Sequence, residues 1–208
     1  MKETISRAEY LTNPCTASSL PFWKAETICV PKDMRIVLDE DFVLDDYPGF
    51  VDTEFFKLRH SFNNLTKTEL PLGFFVKECE MSEIAKHIAD CYDGAPSLDE
   101  FLRYKNRPTY REDLWLAVCD KNDGQIVASG IAEIDPRIGE GILEWVQVSK
   151  EFRRKGLGKF VVCELVRRLQ NTASFVTVSG EVQNPTNPLA LYLACGFGDK
   201  AIWHILKR

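Results

Sequence analysis

No stretch of this 208-residue chain is apolar over the length an ordinary membrane span needs, about 18 residues or more. The opening MKETISRAEYLTNP lacks the apolar core of a secretory leader. Cysteines never fall in C-x-x-C pairs; the seven are odd in number and scattered, as free thiols in a reducing cytosol would be. The expected location is therefore cytoplasmic, and the sequon Asn64-Leu65-Thr66 carries no meaning there. An excess of positive charge is missing as well: 26 Lys and Arg stand against 31 Asp and Glu, a net charge of −5. That balance argues against general nucleic-acid binding. Internal repeats and low-complexity tracts are absent.

What is present is ordinary for a globular protein, 45% hydrophobic and 27% charged residues. Residues 1–71 read as an extension that packs on the main body through Phe42, Tyr47, Phe50, Phe55 and Phe56. Within it, Thr27–Val30 and Met34–Leu38 are β-rich runs around the turn Pro31-Lys32-Asp33, the pattern of a hairpin. The acidic cluster between Asp39 and Asp46 is either a solvated loop or an attractor for a cationic amine. From residue 72 the order is regular. A strand over Gly73–Cys79 precedes a helix capped by Ser82 with Ile84, His87, Ile88 and Cys91 on one face. His87 and Cys91 lack the further ligands that a metal site needs, so no metal is expected. Ser97 and Glu100 form a capping box. Strands over Leu114–Cys119 and Gln125–Ile134 flank the hairpin signal Asp123-Gly124. Later come a strand over Phe175–Val182, a helix capped by Thr186 or Asn187 with Pro188 near its start, a stop at Gly196, and a strand over Ala201–Leu206.

The centre of this succession is LEWVQVSKEFRRKGLGKFVVCELVRRLQ, Leu143 to Gln170. Ile142 to Val148 is a nearly continuous apolar run, a strand buried on both faces. Leu157, Val161, Val162, Leu165, Val166 and Leu169 then form one stripe of an amphipathic helix. Between them lies a basic turn with Gly156 and Gly158. The first N–H groups of a helix have no internal partner and carry the positive end of its dipole, so this junction suits a phosphate or pyrophosphate. It is not a Walker loop, because Arg153 stands at the first glycine position and Phe160 at the hydroxyl position. Nor is it a Rossmann turn, whose third glycine is replaced by Val161.

Arg153-Arg154-Lys155-Gly156-Leu157-Gly158 does fit Arg/Gln-x-x-Gly-x-Gly/Ala. With the later Leu191-Tyr192-Leu193-Ala194-Cys195-Gly196-Phe197, it resembles the GNAT superfamily of acyl-CoA-dependent N-acyltransferases over residues 72–208. The resemblance implies an α/β fold with a mixed sheet and splayed central strands, here behind an N-terminal extension. It implies transfer of an acetyl group from acetyl-CoA, the cosubstrate, to a primary amine of a small molecule or peptide. Pyrophosphate would fall to the backbone N–H groups of Arg154, Lys155, Gly156, Leu157, Gly158 and Lys159, with the side chain of Arg153 adding positive charge beside them. The pantetheine arm and thioester oxygen would fall to Val146, Gln147 and Val148. Tyr192 would be the acid for the departing thiolate, a phenol of matched basicity; otherwise it is a half-buried aromatic. The family's Asn and Ala positions before that tyrosine are Pro185 and Pro188 here, leaving Asn187 or Asn184 for the arm. The general base is Glu144, Glu181 or a water. Strand alternation sets Glu144 on the side of Val146 and Val148 unless a bulge intervenes. Cys195 reads as a small core residue. Other readings are a longer acyl group and an idle acyl-CoA-binding module. The acceptor and the oligomeric state, a homodimer included, stay open.

Overall fold

The computed structural model describes residues 5–208. In chain order its elements are α1 (Arg7–Thr12), α2 (Pro14–Ala17), α3 (Phe22–Thr27), β1 (Met34–Leu38), β2 (Val51–His60), β3 (Phe74–Lys77), α4 (Met81–Cys91), α5 (Leu98–Leu102), β4 (Trp115–Asp120), β5 (Ile126–Asp135), β6 (Glu140–Val148), α6 (Leu157–Leu169), β7 (Phe175–Glu181), α7 (Pro188–Ala194) and β8 (Gly198–Lys207). The chain is thus mixed α/β. It divides into two compact units, one of residues up to Ser61 with Thr177–Arg208, the other of Phe62–Val176.

In the first unit the strands run in the order β1-β8-β2-β7. β8 pairs antiparallel with β1, from Met34↔Lys207 to Leu38↔Trp203, and with β2, from Val51↔Lys207 to Arg59↔Gly198. Residues 27–30 are not the expected strand. α3 continues to Thr27, and the Ile28 N–H closes a last helical turn on the Lys24 carbonyl at 2.8 Å. The turn at Pro31 forms, with the Met34 N–H on the Pro31 carbonyl at 3.1 Å, but β1 finds its partner at the far end of the chain. A small core joins Cys15, Ala201 and Trp203, and the Trp203 indole N–H donates to the Cys15 carbonyl at 2.8 Å. Lys57 of β2 is buried, and its ammonium donates to Tyr10 Oη (3.0 Å) and to the carbonyls of Ser18 (2.8 Å) and Leu20 (2.7 Å). Those oxygens are what makes a buried cation tolerable.

The second unit is an antiparallel meander in the order β6-β5-β4-β3. Asp123-Gly124 makes its predicted turn, with Gly124 at φ 73°. One face is covered by α4 and α5, whose Ile84, Ile88, Phe101 and Tyr104 cluster with Ala117 and Ile131. α4 begins one residue before Ser82, its N-cap being Glu80 in a reciprocal box with Glu83. The other face takes α6. A Cβ added to Gly130 of β5 would lie 2.6 Å from Val161 Cγ1 and 2.9 Å from Leu165 Cδ1, so a glycine there lets the helix lie close on the strand. Every residue of the predicted α6 stripe is buried.

Candidate functional site

β6 is not a regular strand. Its pairing with β5 slips between Ser129↔Gln147 and Ile131↔Glu144, so Trp145 and Val146 together stand opposite Gly130. Trp145 adopts φ 51°, a left-handed conformation rare for a bulky residue. This bulge corrects the alternation expected for Glu144. Glu144 shares the α4 and α5 face with Gln147, whereas Val146 turns toward α6: its Cγ2 would lie 3.6 Å from a Cβ on Gly130. The indole is held in place by its Nε1–H on Tyr104 Oη at 3.1 Å and by edge contacts with Phe101 and Tyr92 at 5.9 and 5.6 Å.

Two carbonyls of the Val146–Val148 segment already have donors. Tyr92 Oη donates to the Val146 carbonyl at 3.0 Å, and Arg153 Nε donates to the Val148 carbonyl at 3.1 Å. From there the chain passes through a single 3₁₀ turn, Lys150–Phe152, into the basic loop. Arg154 (φ 64°) and Gly156 (φ 84°) both take the left-handed conformation on either side of Lys155. Backbone that alternates in this way turns consecutive N–H groups to one side, the concavity that accepts anions. For Arg154 the conformation costs about 1–2 kcal/mol. Gly156 is the N-cap of α6 and supplies no side-chain acceptor, so the first-turn amides of this 13-residue helix keep their donor capacity. Arg153, Arg154, Lys155 and Lys159 are all exposed around them. Pro71 lies along the turn, its Cγ 3.5 Å from a Cβ placed on Gly156.

Glu144 is nearly covered, its side chain 12% exposed, and lies 3.8 Å from Arg107. Arg107 also bonds the buried Glu133 at 2.8 Å, and its guanidinium carbon lies over the Tyr104 ring, 3.2 Å from the centroid. Burial works against the Arg107 charge, but Glu133 outweighs it and raises the pKa above the usual arginine value. Neither Arg107 nor Tyr92 stood out in the sequence, because their partners lie on strands distant along the chain. Both ring nitrogens of His87 have partners. Its Nδ1 meets Ser129 Oγ at 2.8 Å and its Nε2 meets Ser149 Oγ at 2.9 Å, with Cys91 Sγ at 3.7 Å. Gln147 joins this network through Ser129. Burial depresses the His87 pKa to about 4, so the ring is neutral near pH 7.

The remaining expected residues belong to the first unit. Tyr192, on the single two-turn helix α7, is buried and packs on Phe56 and Phe197, with centroids 6.1 and 5.7 Å apart. Asn187, at φ 52°, spends its side-chain oxygen on the Ala190 N–H at 3.3 Å as the N-cap of α7. Asn184 is used likewise, accepting from Thr186. Glu181 is exposed at the end of β7, and Cys195 is buried. Asp52, Glu54 and His204 bring their ligand atoms within 4.8 Å of one another, but both His204 ring nitrogens already meet carboxylates. No disulfide joins any of the seven cysteines. Among the described residues no helix is long and apolar enough to cross a membrane.

A strand, a basic loop with two left-handed residues, and an uncapped helix start thus stand together in the second unit. The family description "Acetyltransferase (GNAT) domain" matches residues 111–198, which include this junction. Over those residues the chain is similar to GNAT acetyltransferases. Solved structures resemble it in fold. A GCN5-related N-acetyltransferase from Sphaerobacter thermophilus aligns with TM-score 0.63 at 17% identity, over 76% of this chain and 52% of that one. A GCN5-related N-acetyltransferase from Kribbella flavida gives 0.58 at 18% identity, over 84% and 67%. A putative acetyltransferase of the GNAT family from Novosphingobium aromaticivorans gives 0.56 at 12% identity, over 87% and 70%. The chain spans about half the length of the first of these. No curated protein sequence matches it. The GNAT fold assignment agrees with the mixed α/β order read from the sequence.

Proposed function

We propose that this GNAT domain transfers the acetyl group of acetyl-CoA directly to a primary amine of a small molecule or peptide. The observation that carries the reading is the turn of Arg154 and Gly156 at the uncapped start of α6. Diphosphate would be gripped there by the amides of Arg154 to Lys159, with the side-chain charges adding salt-dependent attraction. The pantetheine arm would lie along Val146, Gln147 and Val148, and bulged backbone at that point offers donors outside the regular ladder. Glu144 is the assigned base, acting on the ammonium directly or through a water, and Tyr192 is the assigned acid for the thiolate. A cytoplasmic setting is consistent with this cosubstrate.

A second reading has an observation of its own. Glu144 is engaged with Arg107 at 3.8 Å, and Asn187 is consumed as a cap. Both would suit a domain that binds acyl-CoA without turning it over. One experiment separates the two. Acetyl-CoA should raise the melting temperature by mass action, and a screen of amines, aminoglycosides and peptide N-termini should release CoA with at least one. Stabilisation without release across the screen supports the binding module, and no stabilisation at millimolar acetyl-CoA rejects both. Tyr192→Phe should lower turnover more than acetyl-CoA binding; an equal fall in both removes its role as acid.

A further inference from the structure

Tyr92 lies outside every motif, yet its hydroxyl reaches the backbone at the centre of the proposed cofactor strand. It is the first residue past α4, whose last turn closes with the Tyr92 N–H on the Ile88 carbonyl at 3.0 Å. Ile88 is fully buried in the second unit's core, so the position of Tyr92 is fixed from below. Its ring meets the Trp145 indole edge-on, 5.6 Å between centroids at 74°. Its hydroxyl donates to the Val146 carbonyl at 3.0 Å. Trp145 and Val146 are the two residues of the β6 bulge, the segment the β5 ladder does not register. Tyr92 as a residue is 37% exposed, so it is not buried in the core beneath it.

We propose that Tyr92 is a positioning residue for acetyl transfer: it pins the bulged Val146 peptide, and so presets the backbone that receives the thioester. The inference rests on the reading of this strand as the pantetheine site. A bulge leaves its extra residue without ladder bonds, so its peptides can relax by local rotation. That relaxation would return Trp145 from φ 51° to an extended conformation and turn the Val146 carbonyl. Three contacts oppose it from the helical side: the Tyr92 hydroxyl on the carbonyl, the Tyr92 ring on the indole, and Tyr104 Oη on the indole nitrogen. Of these only the first acts on the peptide itself. The carbonyl keeps a second lone pair, so an incoming amide N–H and the tyrosine hydroxyl can share it. Small displacements of a group that orients the reacting atoms cost rate rather than binding.

Tyr92→Phe removes the hydroxyl and leaves the ring on Trp145. The expected result is a fall in kcat of about tenfold, with KM for acetyl-CoA within about twofold and the melting temperature nearly unchanged. Amide hydrogen exchange at residues 144–148 of the ligand-free protein should quicken in the same variant. Tyr92→Ala, which also removes the ring contact, should lose more of both. Unchanged kcat and unchanged exchange in Tyr92→Phe overturn the proposal while leaving acetyl transfer intact. A rise in KM with kcat unchanged overturns it too, because Tyr92 would then be a binding residue. Should the unaltered protein neither bind nor turn over acetyl-CoA, the functional reading falls. Exchange then decides for Tyr92 alone: quicker exchange in Tyr92→Phe supports the pin, and equal exchange removes it.

Discussion

His204 shows how much one side chain can hold when both of its ring nitrogens are used. Nδ1 lies 2.7 Å from an Asp52 carboxylate oxygen and Nε2 3.1 Å from Asp39, while Phe42 stacks on the ring at 3.8 Å between centroids. A neutral imidazole has one N–H, so only the imidazolium satisfies both carboxylates. Burial of the ring opposes the charge, but the bonds to Asp52 and Asp39 outweigh it and raise the pKa above the usual histidine value. Glu54 is the third carboxylate beside the ring. A pKa raised by folding means that the folded state holds the proton more tightly. The resulting stabilisation is complete below the unfolded value of about 6.5 and is lost as pH rises through the folded one. The urea midpoint should therefore fall as pH rises above about 6.5, and His204→Gln should flatten that fall. A midpoint in the unaltered protein that does not fall over this range would show that the ring is not charged in the folded state. None of this was legible in the sequence, where His204 sits in an unremarkable β-rich run 152 residues from Asp52.

At the level of elements, the junction from β6 to α6 was the most readable part of the chain, because its periodicity and its glycines are local properties. Its six stripe residues from Leu157 to Leu169 are all buried, and Gly156 takes the left-handed turn that its position suggested. Gly156→Val should keep the fold, since the nearest atom to its new Cβ would be Pro71 Cγ at an ordinary 3.5 Å. The strained backbone should nonetheless lower acetyl-CoA affinity by at least about tenfold in calorimetry. Arg154→Gly removes charge but allows the same turn, so it should cost less affinity and reduce its salt dependence. Equal losses in the two variants would mean that charge, not amide geometry, holds the ligand. Gly130→Ala tests the opposite face of the same packing. Overlap with Val161 and Leu165 should destabilise the protein by about 1–3 kcal/mol in urea titration. What the sequence hid were elements stabilised by distant partners. β2 carries Asp52, Glu54, Lys57, Arg59 and His60, charges that masked a ten-residue strand, yet Lys57 and His60 are buried. Residues 27–30 have strand-like composition, but one more helical turn and Pro31 leave them no ladder. The Trp145 bulge was invisible because no local preference favours a left-handed tryptophan; its neighbours impose it.

On the scale of the molecule, the chain's beginning and its last strands make one unit, so sequence proximity is a poor guide to what belongs together. The Lys57 ammonium makes this concrete, since the oxygens around it come from Tyr10, Ser18 and Leu20. Shortening the chain to start at Cys29, as an attempt at a minimal catalytic core would, strips away those three oxygens. A buried lysine in the middle of a long strand would then lose those three acceptors. Such a trimmed protein should express as insoluble material, and Lys57→Met in the trimmed chain should recover part of the soluble yield. If the trimmed protein is soluble and melts like the full one, the leading helices are ornament; otherwise they are solvent for a cation that the sheet cannot hold by itself.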